Sequence, residues 1–195
     1  MTGQSLIDPV WCDLCREAHP MPAGECYRIT GHERQAAIDR AQMTWLLEQA
    51  TGKCLHVGCG EKYLEGMVNI DPNPTRPRVD HRYDVHDMPF EAGTFDSCIS
   101  CHVIPSLRDP LRALAEMARV LKPGGVMAHV IPDNTYAPMR HSLHHQWQFQ
   151  HNNWFSPEQF RTEVLGQVNE VLVTDLCEHF DGFRFAFRVR CVKVG

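Results

Sequence analysis

The residues best suited to chemistry in this 195-residue chain stand where apolar runs stop. Cys54-Leu55-His56-Val57 has strand character and ends in Gly58-Cys59-Gly60. A strand that turns sharply and lets its backbone touch a ligand needs residues without side-chain bulk. Asp71 follows at the tip of the next apolar run, Met67-Val68-Asn69-Ile70, where a carboxylate can accept both hydroxyl protons of a ribose. Asp84 stands after a third, less regular run from Arg78 to Tyr83, and Phe95-Asp96 opens a fourth that covers Ser97 to Cys101. A glycine turn after a strand is common, so the order of these tips carries the signal rather than any one of them. If the runs are parallel strands, every tip lies on one carboxyl edge of a sheet, where open α/β folds bind ligands.

Two further groupings have chemical potential. Cys12, Cys15, Cys26 and His32 form C-x2-C-x10-C-x5-H, a spacing that can hold tetrahedral zinc, with His19 as an alternative fourth ligand. A segment rich in Pro and Gly would gain its order from such a metal. The other reading is three reduced thiols that cover the core. Between a fifth strand and the next helix, Tyr136 to Phe155 crowds together His141, His144, His145, His151, Trp147 and Trp154. Histidines titrate near neutrality and can take a proton from a hydroxyl acceptor. The stretch reads as a substrate-facing lid, against a surface loop anchored by its aromatics. His56 and His129 lie inside strand patterns and read as satisfied core histidines.

With 43% hydrophobic and 22% charged residues, the chain has ordinary globular composition and enough length for one sizeable core. A net charge of −5 and the lack of a long Lys/Arg run argue against nucleic acid as partner. No apolar run is long enough to span a bilayer, and MTGQSLIDPVWCDLC is not a secretory signal. Nine cysteines, an odd number with several inside strand patterns, favour reduced thiols and a cytoplasmic location.

Residues 1–31 read as an irregular cysteine-containing segment and 32–195 as the main domain. A helix is expected from His32 to Ala50, with Ile38, Ala41, Trp45 and Leu46 on one face and Gly52 as its stop. The clearest helix starts at Asp109-Pro110 and buries Leu111, Leu114, Ala115, Ala118 and Leu121 before Lys122-Pro123-Gly124-Gly125 ends it. A strand from Val126 to Ile131 follows, and Ser156-Pro157-Glu158-Gln159 is a capping-box start. Glu170 to Asp175 and Phe183 to Val194 close the chain as strands with no helix between them. The expected architecture is α/β, a doubly wound and mostly parallel sheet with a C-terminal antiparallel hairpin at its edge.

The run LHVGCG…VNIDPNP…YDVHDMPFEAGTFDSCISCHVI…LRALAEMARVLKPGG resembles the class I S-adenosylmethionine-dependent methyltransferases, the type 11 group in particular, over about residues 54–134. The resemblance implies a Rossmann-like fold and S-adenosylmethionine as cofactor. It implies that Gly58, Cys59 and Gly60 pass under the methionine part and that Asp71 binds the ribose. Asp84 would accept from the adenine amino group, with the Val85 backbone N–H on a ring nitrogen. Cys101 and His102 would lie near the sulfonium. His102 then becomes the expected general base, with His144 or His145 as the fallback. The acceptor would be an oxygen or nitrogen of a small molecule, a metabolite or sugar.

The sequence departs from the commonest pattern. Lys62 stands where many members have a third glycine, and Pro105-Ser106 replaces a frequent Glu-His pair. Ten residues separate Gly60 from Asp71 and twelve separate Asp71 from Asp84, so the first two crossovers must be short loops, as in a compact variant. Glu61, Lys62 and Tyr63 are candidates to hold the cofactor's carboxylate. A nicotinamide enzyme would want G-x-G-x-x-G opening a long helix, and Tyr63 occupies the last glycine position. A non-catalytic or degenerate cofactor-binding module is the alternative function.

Overall fold

The computed structural model describes residues 10–12, 17–19, 31–133, 152–177 and 186–195, with side chains from Asp39 onward. The side chains of Cys12, Cys15, Cys26 and His32, and residues His144 and His145, lie outside the described residues. The chain divides into two compact units, Met1–Ala41 and Gln42–Gly195. In the first, β1 (Val10–Cys12) pairs antiparallel with β2 (Glu17–His19), Trp11 opposite Ala18. Helix α1 runs Gly31–Gln49. No helix among the described residues is long and apolar enough to cross a membrane.

The second unit is built on a six-stranded sheet in the order β4-β3-β5-β6-β8-β7. Its strands are β3 (Cys54–Val57), β4 (Val68–Ile70), β5 (Phe95–Cys101), β6 (Leu121–Pro132), β7 (Val171–Cys177) and β8 (Ala186–Lys193). The first four are parallel neighbours, while β8 pairs antiparallel with both β6 and β7. The sheet is thus Rossmann-like and mostly parallel, with the expected hairpin at one edge. Its central strands are mostly apolar because both faces are covered, with His56, Ser97, Ser100 and His129 as buried polar exceptions.

Period-two alternation divides the core. Leu55, Val57, Cys98, Met127, Ile131, Phe187 and Val189 share one face with Leu114, Met117 and Ala118 of α2 (Pro110–Val120) and with Phe160 and Val164. Cys54, Ile99, Ala128, Val130 and Ala186 line the other with Trp45 and Leu46 of α1. Each large side chain fully removed from water in this way contributes about 1.5–3 kcal/mol. In α2 the buried stripe is Ala113, Leu114, Met117, Ala118 and Val120. Ala115 is exposed, and Leu121 already belongs to β6. The cap is as expected: Asp109 accepts the Arg112 backbone N–H at 3.0 Å and Pro110 fills the first helical position.

The third expected strand does not form. Between Asp71 and Phe95 only His81 makes a parallel bridge, to Ile70. The segment meets β4 at this one point only: the Asp80 and His81 N–H groups both donate to Asn69 O, at 2.9 and 3.2 Å, and His81 O accepts the Asp71 N–H at 3.3 Å. The capping box at Ser156 is present, but the single α turn Pro157–Gln159 passes into π geometry at Phe160–Val164 and 3-10 geometry at Leu165–Gln167.

Two buried polar clusters interrupt the core. His56 Nδ1 meets Asn69 Oδ1 at 3.0 Å, as expected of a satisfied core histidine. His129 is satisfied at one nitrogen only. Its Nδ1 lies 2.7 Å from Ser100 Oγ, while its buried Nε2 has no hydrogen-bond partner. Burial lowers the His129 pKa from 6.5 to about 3 and lowers that of His56 as well. In the unfolded chain both protonate near 6.5, while folded His129 resists until about pH 3. Stability is therefore full above pH 6.5 and is lost as pH falls from there towards 3, by about 1 kcal/mol per pH unit for His129. Urea unfolding from pH 7.5 to 5 should show this decline. His129→Leu should make it shallower, leaving the part that His56 contributes, and an unchanged slope in that variant would rule out His129 as a source.

Candidate functional site

The carboxyl ends of β3 and β4 open into a cleft of about 260 Å³. Val57 and Ile70, the last residues of their strands, form its base, and Gly58 begins the turn beside them. Gly58 has φ +62, and a Cβ there would stand 2.4 Å from Val103 Cγ2. Only glycine meets both the left-handed backbone and the close approach of Val103. Gly60, also at positive φ, has open space where a Cβ would be.

Asp71 is buried directly behind this turn. It accepts the Gly60 N–H at 3.0 Å through Oδ2 and the Asn73 N–H at 2.9 Å through Oδ1. A carboxylate has about four acceptor positions, so two remain for further donors. Cys59 donates its backbone N–H to Ile70 at 3.1 Å, and its side chain is buried. Burial, then the charge of Asp71, pushes its thiol pKa up, which keeps it a neutral S–H.

The opposite wall is the segment Asp84-Val85-His86. Asp84 Oδ1 accepts the His86 backbone N–H at 2.9 Å and also meets His86 Nδ1, while Arg108 Nη2 lies 3.4 Å from Oδ2. Partial burial raises the Asp84 pKa, but the His86 donors and Arg108 outweigh it and hold it below the usual carboxylate range. Ser106, Leu107, Arg108 and Asn152 complete the rim. Asn152 is tied down by its backbone N–H to Pro105 O at 2.8 Å and its side chain to Ser106 O at 2.9 Å.

Gly58, Asp84 and Val85 thus line one cleft, while Cys59, Gly60 and Asp71 are not among its lining residues, Asp71 being tied to the turn through the Gly60 N–H. Cys101 and His102 stand at the tip of β5, outside the lining, although the next residue, Val103, belongs to it. Cys101 Sγ lies 3.8 Å from Gln42 Oε1. His102 has φ +57, and its N–H reaches Val130 O at 2.9 Å, prolonging the β5–β6 ladder. Non-glycine residues in this region are uncommon and concentrate at functional sites.

Tyr63 and Glu61 have other partners: Tyr63 donates to Asp80 at 2.8 Å, and Glu61 pairs with Arg76 at 3.4 Å. Pro72, His86, Ser106, Arg108 and Asn152 line the cleft although their sequence spacing does not mark them for it. Only His86 had a local signal, two positions after Asp84 on the same wall. Among the described residues, no group of three His, Cys, Asp or Glu side chains could hold a metal ion.

Residues 55–129 match the family model described as a methyltransferase domain. An uncharacterised 37.1 kDa protein in transposon TN4556 of Streptomyces fradiae is 42% identical over 50 residues, which are 26% of this chain and 14% of that protein. The match therefore spans only a small part of that relative. A chain of the complex between the Haloferax volcanii Trm112 methyltransferase activator and a methyltransferase superposes with a TM-score of 0.64 at 16% identity, covering 87% of this chain and 96% of that one. A Thermotoga maritima S-adenosylmethionine-dependent methyltransferase superposes at 0.60 and 16% identity, covering 85% and 96%. At these identities the superpositions speak for the fold, and the family match speaks for the segment that carries the glycine turn, Asp71, Asp84 and α2. Residues 55–129 are thus similar to a methyltransferase domain, and they sit on a fold that the chain shares with S-adenosylmethionine-dependent methyltransferases.

Proposed function

We propose that the chain transfers a methyl group from S-adenosylmethionine to an oxygen or nitrogen of a small-molecule acceptor, a metabolite or a sugar. The observation that carries this reading is the cleft at the ends of β3 and β4, between a turn free of side-chain bulk and the carboxylate of Asp84. The residues present fit the cofactor. Val57, Ile70, Val85, Val103 and Leu107 offer apolar surface to a flat base, and Asp84 offers an acceptor at its edge. Asp71 keeps acceptor positions for ribose hydroxyls, and the open space at Gly60 admits the methionine portion.

When bound, S-adenosylmethionine supplies a methyl group already activated on a sulfonium. The protein's part is then orientation, worth ~7–11 kcal/mol at best. His102, at the β5 tip, is the proposed general base, a role worth ~100- to 10,000-fold for a hydroxyl acceptor. A small acceptor suits a chain of net charge −5 better than a nucleic acid, which needs a basic face.

Calorimetric titration should show micromolar binding of S-adenosylmethionine and none of NADH. Absence of S-adenosylmethionine binding would overturn the proposal. Asp71→Ala should weaken binding at least about ten-fold while circular dichroism stays unchanged. Gly58→Ala should lower both stability and affinity. Adding Val103→Ala should recover the steric part but leave ~1 kcal/mol of left-handed backbone cost. With an acceptor in hand, His102→Ala should reduce kcat far more than cofactor affinity, and undiminished turnover would remove His102 from the mechanism.

A further inference from the structure

We propose that His86 is a positioning residue for the cofactor: its ring ties the Asp84 carboxylate to the N-terminus of α2 and so aims it at the adenine amino group. The inference rests on the reading of Asp84 given above. The Asp84 side chain is 49% exposed, and such a carboxylate would ordinarily rotate freely and lose its aim. His86 is only 5% exposed and is held at four points. Its backbone N–H and Nδ1 both meet Asp84 Oδ1. Its Nε2 faces the Asp109 backbone N–H at 3.3 Å, and its carbonyl accepts Arg112 Nε at 3.0 Å.

These contacts decide the tautomer. Nε2 faces a donor and must accept, so the proton sits on Nδ1, where it is given to Asp84. Asp109 caps α2, whose inner stripe is packed in the core, so the chain of contacts from helix to carboxylate has no loose link. The same contacts restrict what Asp84 can recognise. Two donors from His86 fill Oδ1, and Arg108 takes one position on Oδ2, leaving about one acceptor position for a ligand. One N–H is what the edge of a 6-aminopurine offers there. A 6-oxopurine would present an oxygen to the carboxylate instead.

The test compares the full chain with Asp84→Ala, His86→Gln and His86→Asn, titrated with S-adenosylhomocysteine and S-inosylhomocysteine and followed by thermal unfolding. An asparagine amide reaches where Nδ1 stood and can still donate to Asp84, but it abandons the Asp109 N–H. A glutamine amide reaches where Nε2 stood, keeping the tie to α2 and losing the donor. His86→Gln should bind S-adenosylhomocysteine about ten-fold more weakly and lose preference for adenosyl over inosyl, with an unfolding temperature near wild type. His86→Asn should keep affinity and preference while its unfolding temperature falls. Affinity that follows the unfolding temperature through both variants would reduce His86 to a structural role. Normal binding by His86→Gln would overturn the proposal when Asp84→Ala is weakened. Normal binding by Asp84→Ala would instead overturn the reading of Asp84 itself.

Discussion

Between the glycine turn and β5 the chain runs through long stretches of backbone with no helix to satisfy their peptide groups, and the rest of the structure depends on how that need is met. A buried peptide group left without a partner costs about 1–3 kcal/mol. In most doubly wound folds a helix between the strands removes the problem. Here side chains replace it. Asn69 takes the Leu64 N–H at 2.9 Å and donates to the carbonyls of Leu64 at 2.9 Å and Met67 at 3.0 Å. Asp80 accepts the Asn69 N–H at 2.7 Å and the Tyr63 hydroxyl at 2.8 Å, which closes the first crossover around a single buried amide.

The second crossover depends on α2. Glu116 accepts the Met88 N–H at 2.8 Å, Arg119 donates to the Met88 carbonyl at 3.0 Å, and Arg112 holds the carbonyl of His86. Glu116 and Arg119 also pair at 2.7 Å, and this pairing, partial burial notwithstanding, keeps the glutamate pKa below its ordinary value. One helix therefore has two duties. Its inner stripe completes the core, and its polar edge holds the wall of the cleft. An isolated surface ion pair adds little stability, but one that also satisfies a backbone turn spares that turn the cost of unpaired groups.

This division explains which parts of the molecule could be read from residues in order. Mostly apolar runs announced β3, β5 and β6, because strands buried on both faces admit polar residues only where these are hydrogen-bonded, as at His56 and Ser100. The N-cap at Asp109, the capping box at Ser156 and the glycine turn at Gly58 were legible for a similar reason: each is a local rule acting over a few residues. Between Arg78 and Tyr83 strand-like composition yields only the bridge at His81, because the Asp80 and His81 N–H groups converge on one carbonyl of β4 instead of forming a ladder. The stripe of α2 was legible in outline, but the exposure of Ala115 and the burial of Met117 depend on the helix's rotation against the sheet.

The sequence by itself determined the class of fold and the carboxyl edge at which the glycine turn and Asp71 gather, because periodicity and turn chemistry act between near neighbours. It could not decide which residues share a wall. Asn152 reaches the rim from 46 positions beyond Ser106, and the Asp109 backbone finds His86 from 23 positions away. Nothing in local spacing encodes such distances. Only packing α2 and the later segments onto the sheet brought them together, since the groups that satisfy a buried polar atom are chosen by proximity in space and not along the chain.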